Sequence, residues 1–179
     1  MIKLVLLLLL GVLGVGISLS QPTVYISGSK DSLGILAQVS QHLKHLDVDE
    51  NVFIHIGFYN KMPENMKAVT YVQKTFPNNG YPNDQLIEVR IDAHLNKKRQ
   101  KLALAHEMIH VKQYVKGELE VVNRHHIIWK GTQYSYLHNK DRLLAPWEQE
   151  AYRHDRELVN IFDEGYPIQS PTLASQNNP

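Results

Sequence analysis

Hydrophobic positions along this chain follow a two-residue period in some segments and a helical period in others. Alternating or β-branched runs predict strands at residues 23–26, 51–59, 69–72 and 86–91. Apolar spacing and end signals predict helices from Asp31 or Ser32 to about Leu46, from about Lys97 to about Lys116, and from Pro146 to about Phe162. Two short runs, 126–129 and 132–136, flank Lys130-Gly131 and predict a small hairpin. The pattern predicts one α+β domain without an internal repeat.

The first twenty residues have a different pattern. Lys3 precedes an apolar run from Leu4 to Val15, and the small residues Ser18 and Ser20 precede Gln21. This order predicts a secretory signal peptide at residues 1–20. The alternative is an uncleaved anchor, but the run is shorter than the ~20 residues of a spanning helix, so we expect no stable membrane insertion after signal removal. We therefore expect an exported protein, periplasmic or secreted.

Composition limits the remaining possibilities. The chain has no cysteine, which excludes a lipoprotein anchor and a disulfide framework. Lys and Arg total 19 and Asp and Glu total 18, and removal of Lys3 with the signal leaves 18 against 18. This balance gives no indication of nucleic acid or an anionic membrane as a partner. We predict a domain at residues 21–164 and a disordered tail at 165–179, which is rich in Pro, Ser, Asn and Gln.

The most informative segment lies in the second predicted helix, where His106, Glu107 and His110 form H-E-M-I-H. Its flanks are apolar on every side, which is typical of a helix that crosses a core. Buried imidazole and carboxylate groups are costly without a partner, and a metal ion would be such a partner. The H-E-x-x-H spacing is the motif of zinc-dependent hydrolases. The alternative is a pair of core histidines with satisfied hydrogen bonds.

Helical geometry places these side chains on one arc. At ~100° per residue, His106, His110 and Glu107 lie at about 0°, 40° and 100° on the helical wheel. The two imidazoles can therefore point at one ion, and the carboxylate beside them can hold a water molecule. We predict one Zn²⁺ per chain, with His106 and His110 as metal ligands and Glu107 as the catalytic base.

A third metal ligand is needed, because catalytic zinc usually has three protein ligands and one open position for water. Glu148 and Glu150 both occur early in the last predicted helix, about 200° apart, so only one of them can face the metal. We predict Glu150, because Ala151 beside it would allow that helix to pack closely against the motif helix. The alternatives are Glu148, His125, His126, His138 and His154.

The H-E-x-x-H helix followed by a later helical Glu-Ala resembles the gluzincin metallopeptidases. The stretch from the motif through Trp129-Lys130-Gly131 to P-W-E-Q-E-A-Y is similar to small bacterial and phage metallopeptidases of that type. The resemblance covers about residues 86–156. It implies a zincin-like fold, with a mixed sheet above the active-site helix and a strand that aligns an extended substrate, which we assign to residues 86–91. It also implies His106, His110 and Glu150 as zinc ligands.

The resemblance has one departure. Thermolysin-type gluzincins carry an Asp four residues after the ligand Glu, where it supports a zinc-bound histidine. Counted from Glu150, that position holds His154 here, and Asp155 follows. The partner of the zinc-bound histidine therefore stays open, and a backbone carbonyl or a water molecule could serve instead.

Together these features predict an exported zinc metallopeptidase with a peptide or protein substrate. Glu107 would accept a proton from the attacking water and pass it to the leaving nitrogen. Candidate donors to the oxyanion are Tyr134, Tyr136, Tyr152 and His154. Two alternatives are a zinc-binding interaction protein without turnover and a zinc hydrolase of non-peptide amides, such as those in cell-wall material.

Overall fold

The computed structural model describes residues 21–63, 66–74, 85–123, 125–135 and 142–163. The predicted signal peptide, the predicted tail, Tyr136 and His138 lie outside these residues. The strands are β1 (Thr23–Ser27), β2 (Phe53–Tyr59), β3 (Ala68–Lys74), β4 (Gln85–Asp92), β5 (Leu119–Asn123), β6 (His126–Trp129) and β7 (Thr132–Ser135). The helices are α1 (Ser32–His45), α2 (Lys97–Val115) and α3 (Pro146–Asp163), and a 3-10 turn spans Arg142–Leu144.

The predicted strands and helices are confirmed, and β5 is an addition. The β5 strand was not predicted because it has no alternation of buried and exposed positions. Leu119 is its only buried residue. The predicted hairpin turns at Lys130 and Gly131, whose φ angles of 46° and 79° suit the left-handed residues of a tight hairpin turn. These elements form a small α+β domain with a mixed sheet.

The larger sheet has the strand order β1-β2-β4-β3. Strands β1, β2 and β4 are parallel, and β3 runs antiparallel to β4 at the sheet edge. The assignment of residues 86–91 to substrate alignment is therefore wrong, because β4 is an interior strand whose backbone groups are paired on both sides. The edge that contacts α2 is β3 instead.

One face of this sheet packs on α1 and α2. Alternating residues of β2 and β4 point into this core, and they are joined by apolar residues of both helices: Ile54, Ile56, Ile87, Val89, Ile91, Val39, Leu43, Leu104, Met108 and Val111. The opposite face is polar. There, Glu88 accepts hydrogen bonds from Tyr59 (2.8 Å), Gln73 (2.9 Å) and Arg90 (2.9 Å).

The smaller sheet is antiparallel, in the order β5-β6-β7, and connects to the start of α3. Leu119, Ile127 and Trp129 pack with Ala145 and Trp147 in a second apolar cluster. Further along, α3 packs on α2 through small and aliphatic side chains: Ala105, Ile109, Ala151 and Leu158. Within the described residues, no helix has the length and hydrophobicity that crossing a membrane would require.

Candidate active site

The centre of the site lies on α2. Asn96 caps the helix, since its Oδ1 accepts a hydrogen bond from the backbone N–H of Arg99 at 3.0 Å. Gly117 follows the helix with a φ angle of 65°, a conformation that glycine adopts without strain. Between these ends, α2 is buried on most sides around His106, as the apolar flanks predict. The helix therefore brings His106, Glu107 and His110 into the interior.

The two imidazoles meet one carboxylate. Nε2 of His106 lies 3.3 Å from Oε2 of Glu148, and Nε2 of His110 lies 3.5 Å from the same oxygen. One ligand atom from each of these residues lies within 4.8 Å of the others, a spacing compatible with a metal ion. Among the described residues, this is the one group of that kind.

The carboxylate that meets both imidazoles is that of Glu148, and the structure does not bring Glu150, the predicted third ligand, to them. Glu150 Oε2 accepts a hydrogen bond from Gln113 Nε2 at 2.8 Å, and its Oε1 lies 3.4 Å from both Lys112 and Lys130. Burial alone would raise the pKa of Glu150, but the Gln113 hydrogen bond and the two lysine charges lower it below its usual value. Glu150 is thus an ionised partner of Gln113 and of the two lysines.

Gln113 links Glu150 to the site. Its Oε1 accepts a hydrogen bond of 2.8 Å from Nδ1 of His110, and its Nε2 donates to the Trp147 carbonyl at 3.0 Å as well as to Glu150. With one proton held on Nδ1 by Gln113, Nε2 of His110 is the nitrogen that can bind a metal ion or take up a second proton that is shared with Glu148. This role of Gln113 was not predicted from the sequence, although a glutamine three residues after a histidine on a helix is placed to contact it.

His106 has an acid on its other side. Oδ2 of Asp155 lies 3.5 Å from Nδ1 of His106, and this buried nitrogen has no hydrogen bond of good geometry among the described residues. The neighbouring His154 is exposed and contacts Glu157 at 3.2 Å. The sequence left open whether His154 or Asp155 supports a ligand histidine. Asp155 is the one whose carboxylate lies close enough to His106 to do so.

Glu107 points towards the edge strand. Its Oε2 accepts a hydrogen bond of 2.7 Å from Oγ1 of Thr70 in β3, and both side chains are buried. A carboxylate in this position has its orientation fixed, since the alternative in a buried site is an unsatisfied charge.

The site favours a positive charge. Three buried carboxylates surround the imidazoles, those of Glu107, Glu148 and Asp155. Burial alone would lower the pKa of His110, but the hydrogen bond to Glu148 and the charges of Glu107 and Glu148 raise it above its usual value. The same acids would stabilise a metal cation in place of the proton.

A cleft of about 1120 Å³ opens above these residues. Its walls are formed by α2, β3, the start of α3 and part of β5. Of the candidate oxyanion donors, Tyr152 lines the cleft, and its ring centroid lies 4.5 Å from that of His106. Tyr134 packs on Trp147 instead, with a centroid distance of 5.8 Å. Tyr152 is therefore the candidate that the structure brings to the site.

The remaining histidine candidates do not join the group. His125 is exposed next to β5, and His126 lies in β6, where its backbone N–H donates to Asn123 Oδ1.

Comparison of the chain with known protein families, characterised proteins and solved structures gives no match. Any assignment of function therefore depends on the site itself.

Proposed function

We propose that this protein is an exported zinc metallopeptidase with a zincin-like fold. One observation carries the proposal: Nε2 of His106, Nε2 of His110 and Oε2 of Glu148 converge beside Glu107 in an open cleft. Two histidines and one glutamate are a known ligand set of catalytic zinc, and this set leaves a coordination position for water.

The distances fit that ion. Zinc binds imidazole nitrogen and carboxylate oxygen at about 2.0–2.2 Å, so neighbouring ligand atoms of a tetrahedral site are about 3.4 Å apart. The separations of Glu148 Oε2 from the two Nε2 atoms are 3.3 and 3.5 Å. The partners on the far side of each ring, Gln113 and Asp155, also agree with zinc, because ligand histidines usually donate their other N–H to such groups.

Each residue of the site would have a separate role in peptide hydrolysis. A bound zinc ion would supply Lewis acidity and lower the pKa of a water molecule towards about 7. Glu107, held by Thr70, would accept a proton from that water and deliver it to the leaving nitrogen. Tyr152 would donate a hydrogen bond to the oxyanion that develops on the substrate carbonyl.

The edge strand supports a peptide as the substrate. Residues 68–72 of β3 line the cleft, and the sheet order places β3 at the edge. An extended peptide can add to such an edge as a further strand, which gives main-chain hydrogen bonds independent of its sequence.

The test begins with metal content and turnover. The purified protein is exposed to zinc, dialysed and assayed by metal analysis and by digestion of a peptide library, with a chelated sample as reference. We expect about one zinc per chain and cleavage that the chelator abolishes. Glu107→Gln should keep the metal and lose activity by several orders of magnitude.

A matched pair tests the third ligand. Glu148→Gln should lose most of the bound zinc, while Glu150→Gln, two residues away on the same helix, should keep the ion. Full activity in Glu107→Gln would contradict the mechanism. Zinc binding without any cleavage would favour an interaction protein, and chelator-sensitive hydrolysis restricted to non-peptide amides would favour the other alternative.

A further inference from the structure

The floor of the cleft is one long stripe of α2. Residues at spacings of three and four along the helix line it from Arg99 through His106 and His110 to Tyr114. At 1.5 Å per residue this stripe is about 22 Å long. An extended peptide rises about 3.3 Å per residue, so the stripe is long enough for about seven residues.

The direction of β3 relative to α2 is defined by two contacts. The backbone N–H of Asp92, shortly before α2, donates to the carbonyl of Lys67 at 2.9 Å, and Thr70 further along β3 reaches Glu107. Strand β3 therefore begins at the N-terminal end of α2 and runs along it. A peptide paired antiparallel to β3 would place its C-terminal side near Lys67 and Arg99.

That end of the cleft is positively charged. Arg99 and Lys67 both line it and are exposed, and neither forms an ion pair with an acid among the described residues. The first turn of α2 contains no acidic residue, although the helix dipole favours one there. The cationic side chains are thus available to an anionic group in the cleft.

The other end of the cleft is apolar. Val121 of β5 and Leu143 of the 3-10 turn line it with Ile127 and Trp147, although Val121 is 48% and Leu143 60% exposed. Exposed aliphatic side chains around a cleft are typical of a binding surface. Glu120 also lines this end, so a carboxylate would be disfavoured there.

We propose that the cleft selects extended peptides with apolar residues on the N-terminal side of the scissile bond and a carboxylate about three residues beyond it. The carboxylate position follows from the separation of Arg99 and His106, which are seven positions apart in the sequence. This is about 10 Å along the helix, or about three extended residues. The anion is either an acidic side chain or the C-terminal carboxylate of the substrate. This inference rests on the proposed peptidase function and names its substrate class.

The experiment starts from the cleavage sites found in the peptide library. Peptides built on one such site carry Glu or Gln at the third position after the scissile bond, within a longer chain. A second pair ends at that position as a free acid or as an amide. These pairs separate an acidic side chain from a terminal carboxylate. We expect the carboxylate member of at least one pair to have the higher kcat/KM, with the advantage decreasing as salt is added.

Matched variants assign the effect to named residues. The double variant Arg99→Gln with Lys67→Gln should lower kcat/KM about tenfold more for the carboxylate peptide than for its neutral counterpart, as expected for one charge-assisted contact. Lys98→Gln, in the same helical turn but outside the cleft lining, should change neither. Leu143→Ser should reduce the preference for apolar residues, whereas Leu144→Ser, its exposed neighbour outside the lining, should not.

Binding to zinc-loaded Glu107→Gln protein, measured by fluorescence anisotropy with matched library peptides that carry or lack a carboxylate, needs no known cleavage site and therefore separates this inference from the proposed function. Selective binding of the carboxylate peptides, without cleavage of any peptide by the wild type, would contradict the proposed peptidase function. It would still support the assignment of Arg99 and Lys67 to carboxylate binding in the cleft. Cleavage with equal kcat/KM for carboxylate and neutral peptides would overturn the assignment of Arg99 and Lys67 to carboxylate binding. An equal effect of Lys98→Gln and the double variant would overturn it as well. Either result would leave the proposed peptidase function standing.

Discussion

Gln113 is the residue on which the orientation of His110 depends. Its amide is fully buried and uses both ends, since the oxygen accepts from His110 and the nitrogen donates to Trp147 and Glu150. The orientation of the amide is fixed because the carbonyl and the carboxylate can accept only from its nitrogen. Glu150, although it is not one of the three candidate metal ligands, therefore contacts the site through Gln113.

Replacement of Gln113 by Met should keep the volume of the side chain and remove the acceptor for His110. We expect zinc affinity to fall about 10- to 100-fold, the usual effect of losing a partner of a ligand histidine. Competition with a chromogenic chelator measures this change. Gln149→Met, on the exposed side of α3, is the control and should leave the affinity unchanged. Equal affinities for wild type and Gln113→Met would show that His110 needs no such partner.

At the scale of elements, the buried face of α3 explains which acid reaches the histidines. Trp147, Ala151 and Leu158 mark this face, and Glu148 and Asp155 lie in phase with it, seven residues apart. On a helical wheel Glu148 is about 60° from Ala151, whereas Glu150 is about 100° away. The helical spacing of these residues can be seen in the sequence alone, so the position of Glu148 on the buried face of α3 could be predicted from it. The packing of Ala151 against α2 agrees with the prediction, but its neighbour Glu150 is not the acid that the structure brings to the histidines.

Other features could not be predicted from local patterns. The H-E-x-x-H helix and its ends follow from spacing and capping residues, and these were predicted correctly. The edge position of β3 depends on the pairing of distant strands, because β4 follows β3 in the chain but lies between it and β2. The Thr70–Glu107 hydrogen bond joins residues 37 positions apart and depends on that sheet order.

This contact between strand and helix gives a further prediction. Thr70→Val removes the hydroxyl with little change of shape, so Glu107 loses the donor that orients it. A hydrogen bond to a charged group contributes about 1.5–3 kcal/mol, and we expect kcat to fall about 10- to 100-fold while KM and zinc content change little. Thr70→Ser retains the hydroxyl and should recover most of the activity. A rise in KM alone, without loss of kcat, would instead assign Thr70 to substrate binding.

At the scale of the whole molecule, the helices meet at a second polar junction inside the protein. Gln38 of α1 donates hydrogen bonds to Nε2 of His42 (3.0 Å) and to the Lys101 carbonyl of α2 (3.2 Å). The ring of His42 also contacts Phe162 of α3, with a centroid distance of 6.4 Å. His42 is fully buried, and its Nδ1 has no hydrogen-bond partner in the part of the chain that the structure describes. The packing of all three helices therefore includes a histidine that must stay neutral.

This histidine makes the stability of the fold depend on pH. Burial, with a smaller effect of His45, lowers the pKa of His42 from 6.5 to about 4. The unfolded chain then binds a proton that the folded chain rejects, so the contribution to stability is present above pH 6.5 and is lost progressively as the pH falls towards 4. Between pH 7 and pH 4.5 this linkage amounts to about 2 kcal/mol, since each pKa unit corresponds to about 1.4 kcal/mol.

Urea unfolding of wild type and His42→Leu at these two pH values, with a chelator present to remove metal effects, measures the linkage. The free energy of unfolding of the wild type should fall by about 2 kcal/mol more than that of His42→Leu, because the variant has no proton to take up. His154→Leu, at an exposed position of α3, should follow the wild type. A parallel loss of stability in wild type and His42→Leu would mean that the acid response of the fold comes from other groups, and the helix junction would then tolerate a charged His42.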